Sequence, residues 1–123
     1  MELSAFQAIA RSLNEQEVNY LVAGGMAVVA HGYGRMTFDI DLVVRLDKDN
    51  ILRAFSALER LGYRPRVPVT AEQFADAGLR AAWIRDKGMT VLNLWSDSFR
   101  DTPVDIFVTE PFDFDAAYAG ALL

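Results

Sequence analysis

Cysteine is missing altogether from the 123 residues, so neither a disulfide framework nor a thiolate metal site can form. That composition suits a reducing cytoplasm. Also missing is any segment fit for a membrane: the uncharged run from Val18 to Gly34 is interrupted by four glycines and falls short of the roughly 20 residues a span requires. The start, MELSAFQAIARSLNEQE, has neither the basic opening nor the apolar core of a signal peptide. Positive charge is scarce. Twelve Lys and Arg against 17 Asp and Glu leave a net charge of -5, so the surface as a whole repels polyanions, and any contact with nucleic acid needs a local basic patch or metal ions. Neither an internal repeat nor a low-complexity segment is present. The expectation is a soluble cytoplasmic protein without membrane contact, folded as one domain over residues 1–123.

Apolar periodicity is what the chain has in quantity. Leu3, Phe6, Ile9, Ala10 and Leu13 recur at helical spacing and predict an amphipathic first helix ending near Gln16. NYLVA reads as a short buried strand, MAVVAH as a helix of about two turns closed by Gly32, and TFDIDLVV, with the clearest alternation, as a strand. His31, the single histidine, would then sit at a helix end, where it caps or packs. Asp47 and Asp49 can cap a helix whose stripe is Ile51, Leu52, Phe55, Leu58 and Leu61, stopped by Gly62. YRPRVPV, with Pro65 and Pro68, suits an edge or a linker. Thr70 and Gln73 have capping-box spacing, predicting a helix that runs toward Arg85 with an interruption at Gly78. MTVLNLW and PVDIFV read as two more strands joined by SDSFRD. Trp83, Trp95 and the eight phenylalanines are assigned to the core, since no Lys or Arg is interleaved with them as in a base-stacking surface. These elements give an α/β (α+β) domain, a small mixed sheet flanked by helices.

The carboxylates sit in unexpected places. Side chains two apart in a strand share a face with Cα atoms roughly 7 Å apart, so Asp39, Asp41 and Val43 point one way while Phe38, Ile40, Leu42 and Val44 point into the core. A strand Asp can simply face solvent. Two like charges on one strand face repel, however, and Asp is depleted in strands, so D-x-D between apolar neighbours suggests a purpose. Two such carboxylates can hold one divalent cation, and an oxygen-only site suits magnesium or manganese. In PVDIFV the same alternation isolates Asp105, a third carboxylate if its strand neighbours the first. Gly24 and Gly25, between a strand and the expected helix, would let backbone N–H groups approach a phosphate.

The pattern G-G, 13 intervening residues, D-I-D in a strand and a later lone Asp in another resembles the nucleotidyltransferase fold of the DNA polymerase beta superfamily. More narrowly, GGMAVVAHGYGRMTFDIDLVV is similar to the AbiEii-like and MNT-like branches associated with toxin–antitoxin systems. LERLGYRP, WIRDKGMTVLNLW and PVDIFVTEPFDFDAAYA extend the likeness over most of the chain, and Arg35 and Thr37 sharpen it. The resemblance implies that Gly24 and Gly25, with Thr37, contact a nucleoside triphosphate, and that Arg35 either reaches its phosphates or pairs with an Asp. It also implies that Asp39, Asp41 and Asp105 are catalytic and hold Mg2+ or Mn2+, with Asp105 near the acceptor hydroxyl. The implied activity is transfer of a nucleoside monophosphate to a hydroxyl of RNA (such as tRNA), protein or a small molecule, with a cognate toxin or antitoxin as partner. A catalytically silent, regulatory member of the fold is the alternative, and an unrelated small α/β domain with surface acids is the third reading. Family members usually carry further C-terminal helices. Here FDFDAAYAGALL ends on apolar residues, so either the chain continues beyond Leu123 or Tyr118, Leu122 and Leu123 pack on a partner, a second copy included. Arg60, Arg64 and Arg66 are the densest basic cluster and the place for an RNA contact.

Overall fold

A computed structural model of the protein describes residues 3–23, 27–31, 35–110 and 113–121, with side chains over 5–23, 39–110 and 113–118. The elements run α1 (Leu3–Glu15), β1 (Tyr20–Val22), β2 (Ala27–His31), β3 (Arg35–Val44), α2 (Lys48–Glu59), β4 (Arg64–Pro65), α3 (Ala71–Ala75), α4 (Ala77–Lys87), β5 (Val91–Trp95), β6 (Val104–Phe107) and α5 (Phe114–Ala121). The fold is α+β, built on a mixed sheet in the order β1-β3-β6-β5-β4, with β2 paired to the first half of β3. Among the described residues only β3 and β6 run parallel; the other pairings are antiparallel.

Period-two alternation decides which side of the sheet is filled. Ile40, Leu42 and Val44 of β3, Leu92 and Leu94 of β5, and Val104 and Ile106 of β6 are all buried in one cluster with Ile9 and Leu13 of α1, Ile51, Phe55 and Leu58 of α2, and Phe74 of α3. The intervening residues face the other way. That division is why a one-residue slip in any strand would be costly.

Local signals set the helix boundaries. Asp47 accepts from the Asn50 N–H at the start of α2, and Thr70 and Gln73 form the capping box that opens α3. The expected interruption falls at Asp76, two residues before Gly78: Asp76 is extended, ends α3, and its carboxylate accepts from the Gly78 and Leu79 N–H groups to start α4. Gly62 has φ of +83°, and a Cβ there would lie 3.0 Å from Ser96 Oγ, so both backbone and space favour glycine. YRPRVPV supplies the edge strand β4, whose Pro65 lies at the rim where a missing N–H is tolerated.

Two expectations are corrected. MAVVAH forms no helix: Ala27–His31 is a strand pairing antiparallel with Arg35–Asp39. The β-branched Val28 and Val29 suit an extended partner for β3, which outweighs the weak helical pattern of so short a segment. His31 thus ends a strand opposite Arg35. Trp95 is only half-buried and stands with Asn93 on the sheet face opposite the core, whereas Trp83 does pack against the core.

Candidate acidic site on the open sheet face

Asp41 and Asp105 are brought together by pairing. They are register partners on the parallel strands β3 and β6, one interstrand spacing apart, about 4.8 Å, although 64 residues separate them in the chain. Asp39, two residues before Asp41, takes the same face and is half-buried, as are the other two. The three carboxylates therefore share one side of the sheet, away from the core.

Electrostatics follow from that crowding. Burial, then the neighbouring charge of Asp105, then that of Asp39, raise the Asp41 carboxyl above the ordinary aspartate range. The Asn93 Nδ2 group donates to Asp105 Oδ1 at 2.6 Å, and Asn93 Oδ1 in turn accepts from the Arg66 Nε–H. Asn93 is the register partner of Asp105 on β5, and the Arg66 backbone N–H donates to the Asn93 carbonyl at 3.0 Å. Arg66, Asn93, Asp105 and Asp41 thus form a row running straight across four adjacent segments of the sheet.

The scaffold behind the acids is fixed from several sides. Asn50, fully buried at the start of α2, accepts from the Asn19 N–H at 2.8 Å and donates to the carbonyls of Asn19 and Arg45 at 3.0 and 2.9 Å. One side chain therefore ties the residue before β1 and the residue after β3 to α2. At the same end Arg45 pairs with Asp115 of α5 at 2.6 Å and its guanidinium lies 5.7 Å from the Phe114 ring centre. Tyr118 stacks on Phe114 at 5.5 Å, so this residue has a partner within its own chain.

Other expected site residues are placed less fully. Gly24 and Gly25 lie outside the described residues. Because a strand occupies Ala27–His31, the idea that a helix opens just after the glycine pair and aims its N–H groups at a phosphate loses its basis. Arg35 and Thr37 belong to β3, opposite His31 and Val29. Leu122 and Leu123 also fall outside the described residues. A cavity of about 760 Å³ lies elsewhere, between α2 and the edge segment, lined by Phe55, Glu59, Arg64, Val67 and Glu72 among others and by none of the three acids. On the sheet face, burial and the charges of Asp105 and Asp39 raise the Asp41 carboxyl, which makes the acids the better candidate for chemistry.

The donor set fits a hard divalent cation. It is oxygen-only, two carboxylates face each other across one strand spacing, and burial together with the charges of Asp105 and Asp39 raises the Asp41 carboxyl. Among the described residues no three His, Cys, Asp or Glu converge closely enough to hold an ion by themselves. Magnesium is commonly held by one or two carboxylates, with water and substrate phosphates completing its shell, so a pair suffices for a site that binds metal with nucleotide.

Compared with family models, curated proteins and solved structures, the chain matches none. No helix among the described residues is long and apolar enough to cross a membrane.

Proposed function

We propose that the protein is a magnesium-dependent nucleotidyltransferase that moves a nucleoside monophosphate from a nucleoside triphosphate to a hydroxyl. The observation that carries this reading is the Asp41–Asp105 register pair, with Asp39 beside it, on a sheet face opposite a well-packed core. Asp41 and Asp105 are the residues that would hold the ion, with Asp39 next to Asp41 on the same face. A bound magnesium or manganese ion supplies neutralisation of charge on the phosphates and on the departing pyrophosphate. The acceptor oxygen attacks the α-phosphorus, the bond from that phosphorus to the bridging oxygen breaks, and pyrophosphate leaves with the electron pair. Asp105, oriented by Asn93, accepts the hydroxyl proton. Arg35 and Thr37, further back along β3, take the triphosphate in this scheme. A cytoplasmic role within a toxin–antitoxin pair belongs to the same proposal.

The expected result is labelled acceptor when the protein is incubated with each α-labelled triphosphate, magnesium, and either total RNA or a protein extract. Label should depend on magnesium and be lost in Asp41→Asn. Triphosphate binding without label in any acceptor would favour the alternative, a nucleotide-binding regulatory partner.

A further inference from the structure

The three arginines adjacent in sequence part company in the fold. Arg60 lies against the side-chain amide of Gln16, just after α1, while Arg64 and Arg66 stand at the register positions of Trp95 and Asn93, on the face that carries the acids. The Arg66 guanidinium sits 5.9 Å from the centre of the Trp95 ring and is anchored through Nε to Asn93. Among the described residues no acceptor meets its Nη groups. Arg66 is exposed and Trp95 half-exposed. A cation layered on an aromatic face beside a row of carboxylates is therefore present in space, although the sequence separates its members by 28 residues.

Charge along the row is polarised. Asp41 and Asp105 occupy one end and Arg66 the other, which lies about 14 Å from Asp41 by three interstrand spacings and about 10 Å from Asp105 by two. Arg35 and Thr37, assigned to the triphosphate above, lie on β3 beyond Asp39, the strand farthest along the row from Arg66. The arginine end is left for the other substrate. Phosphate is repelled by free carboxylates and attracted by the guanidinium, while a hydroxyl is what Asp105 can receive. An aromatic face offers stacking to any base, and guanidinium groups offer phosphate contacts.

We propose that Arg66, Arg64 and Trp95 form a base-and-phosphate subsite for the 3′ end of a single-stranded polynucleotide, directing its terminal hydroxyl to Asp105. This rests on the transfer reading and names its acceptor. It also reconciles binding with a net charge of -5, because contact is confined to one local cationic edge.

The test measures binding of short 5′-labelled single-stranded RNA and DNA oligomers by fluorescence anisotropy in chelator over a range of salt. Binding of a non-hydrolysable triphosphate with magnesium is followed in parallel. Arg66→Gln should weaken oligomer binding about fivefold or more and flatten the salt slope by about 0.7, the value of one single-strand phosphate contact. Arg66→Lys should keep that slope. Trp95→Leu should weaken binding by about fivefold or more with the slope retained, and triphosphate affinity should stay within about twofold in all variants. Arg66 is exposed, so its variants test the site even if Trp95→Leu lowers stability. The subsite is overturned if the unaltered protein binds no oligomer, if the variants bind as well as it does, or if triphosphate binding falls in step with oligomer binding. Loss of triphosphate binding by the unaltered protein is a separate result, and it counts against the transfer reading.

Discussion

Asp41→Asn is expected to reduce nucleotidyl transfer by at least about a thousandfold while making the metal-free protein more stable. The two effects share one origin. Asp41 is pressed by burial and by the charges of Asp105 and Asp39, and that repulsion exists only when the fold brings the strands together. A carboxyl whose folded-state pKa is raised destabilises the fold once ionised. The penalty is absent below the unfolded value, about pH 3.9, grows as pH rises through the folded value, and is complete above it. Asparagine removes the charge at nearly constant shape. Because the carboxyl keeps much solvent contact, the gain near neutral pH is discounted to about 1 kcal/mol or less, a rise in Tm of roughly 2 to 5 °C. It should vanish by about pH 4. Thermal unfolding in chelator at pH 7 and pH 4 reads it directly, and a variant that is less stable at both would mean that Asp41 makes a structural bond the fold requires.

The largest loss of stability outside the hydrophobic core is expected from Asn50→Leu. Its amide makes three hydrogen bonds to backbone groups of Asn19 and Arg45 with no exposure to water. Leucine would leave those part-buried groups without this partner; the Asn19 carbonyl keeps the Arg45 N–H at 3.2 Å, so at about 1 kcal/mol or more for each of the other two the loss is about 2 kcal/mol in total, against the 5 to 15 kcal/mol typical of a whole domain. Urea denaturation should show a lower midpoint with an unchanged slope. A loss below about 1 kcal/mol would show that water replaces the amide. Since the clamp fixes both the start of β1 and the end of β3, the variant should also weaken magnesium-nucleotide binding at temperatures where it remains folded.

Much of this arrangement is written in short-range patterns. TFDIDLVV and PVDIFV alternate so strictly that both their strand character and the shared outward face of each Asp can be read without a structure, and the Asp47 and Thr70 caps announce α2 and α3. Pairing is what the sequence does not show. Nothing in DKDN distinguishes Asn50 from an ordinary first-turn residue; its role depends on Asn19 and Arg45 arriving beside it. Asn93 looks like a lone polar position in VLNLW, and only the β5–β6 register turns it into the donor to Asp105. Alternation with Leu92 and Leu94 along β5 puts Trp95 on the site face. Non-local pairing made Ala27–His31 a strand, because an extended partner along β3 outweighs a two-turn helical tendency.

If the acids hold a metal-nucleotide complex, thermal unfolding with a non-hydrolysable triphosphate and millimolar magnesium will show it. A ligand that binds only the folded state stabilises it by RT ln(1 + [L]/Kd), about 2.7 kcal/mol at one hundred times Kd. The expected result is a clear rise in Tm for the unaltered protein that disappears when magnesium is chelated, and little or no rise for Asp41→Asn, reversing the order of stability expected without metal. No stabilisation of the unaltered protein by any triphosphate, or equal stabilisation of both proteins, would contradict it.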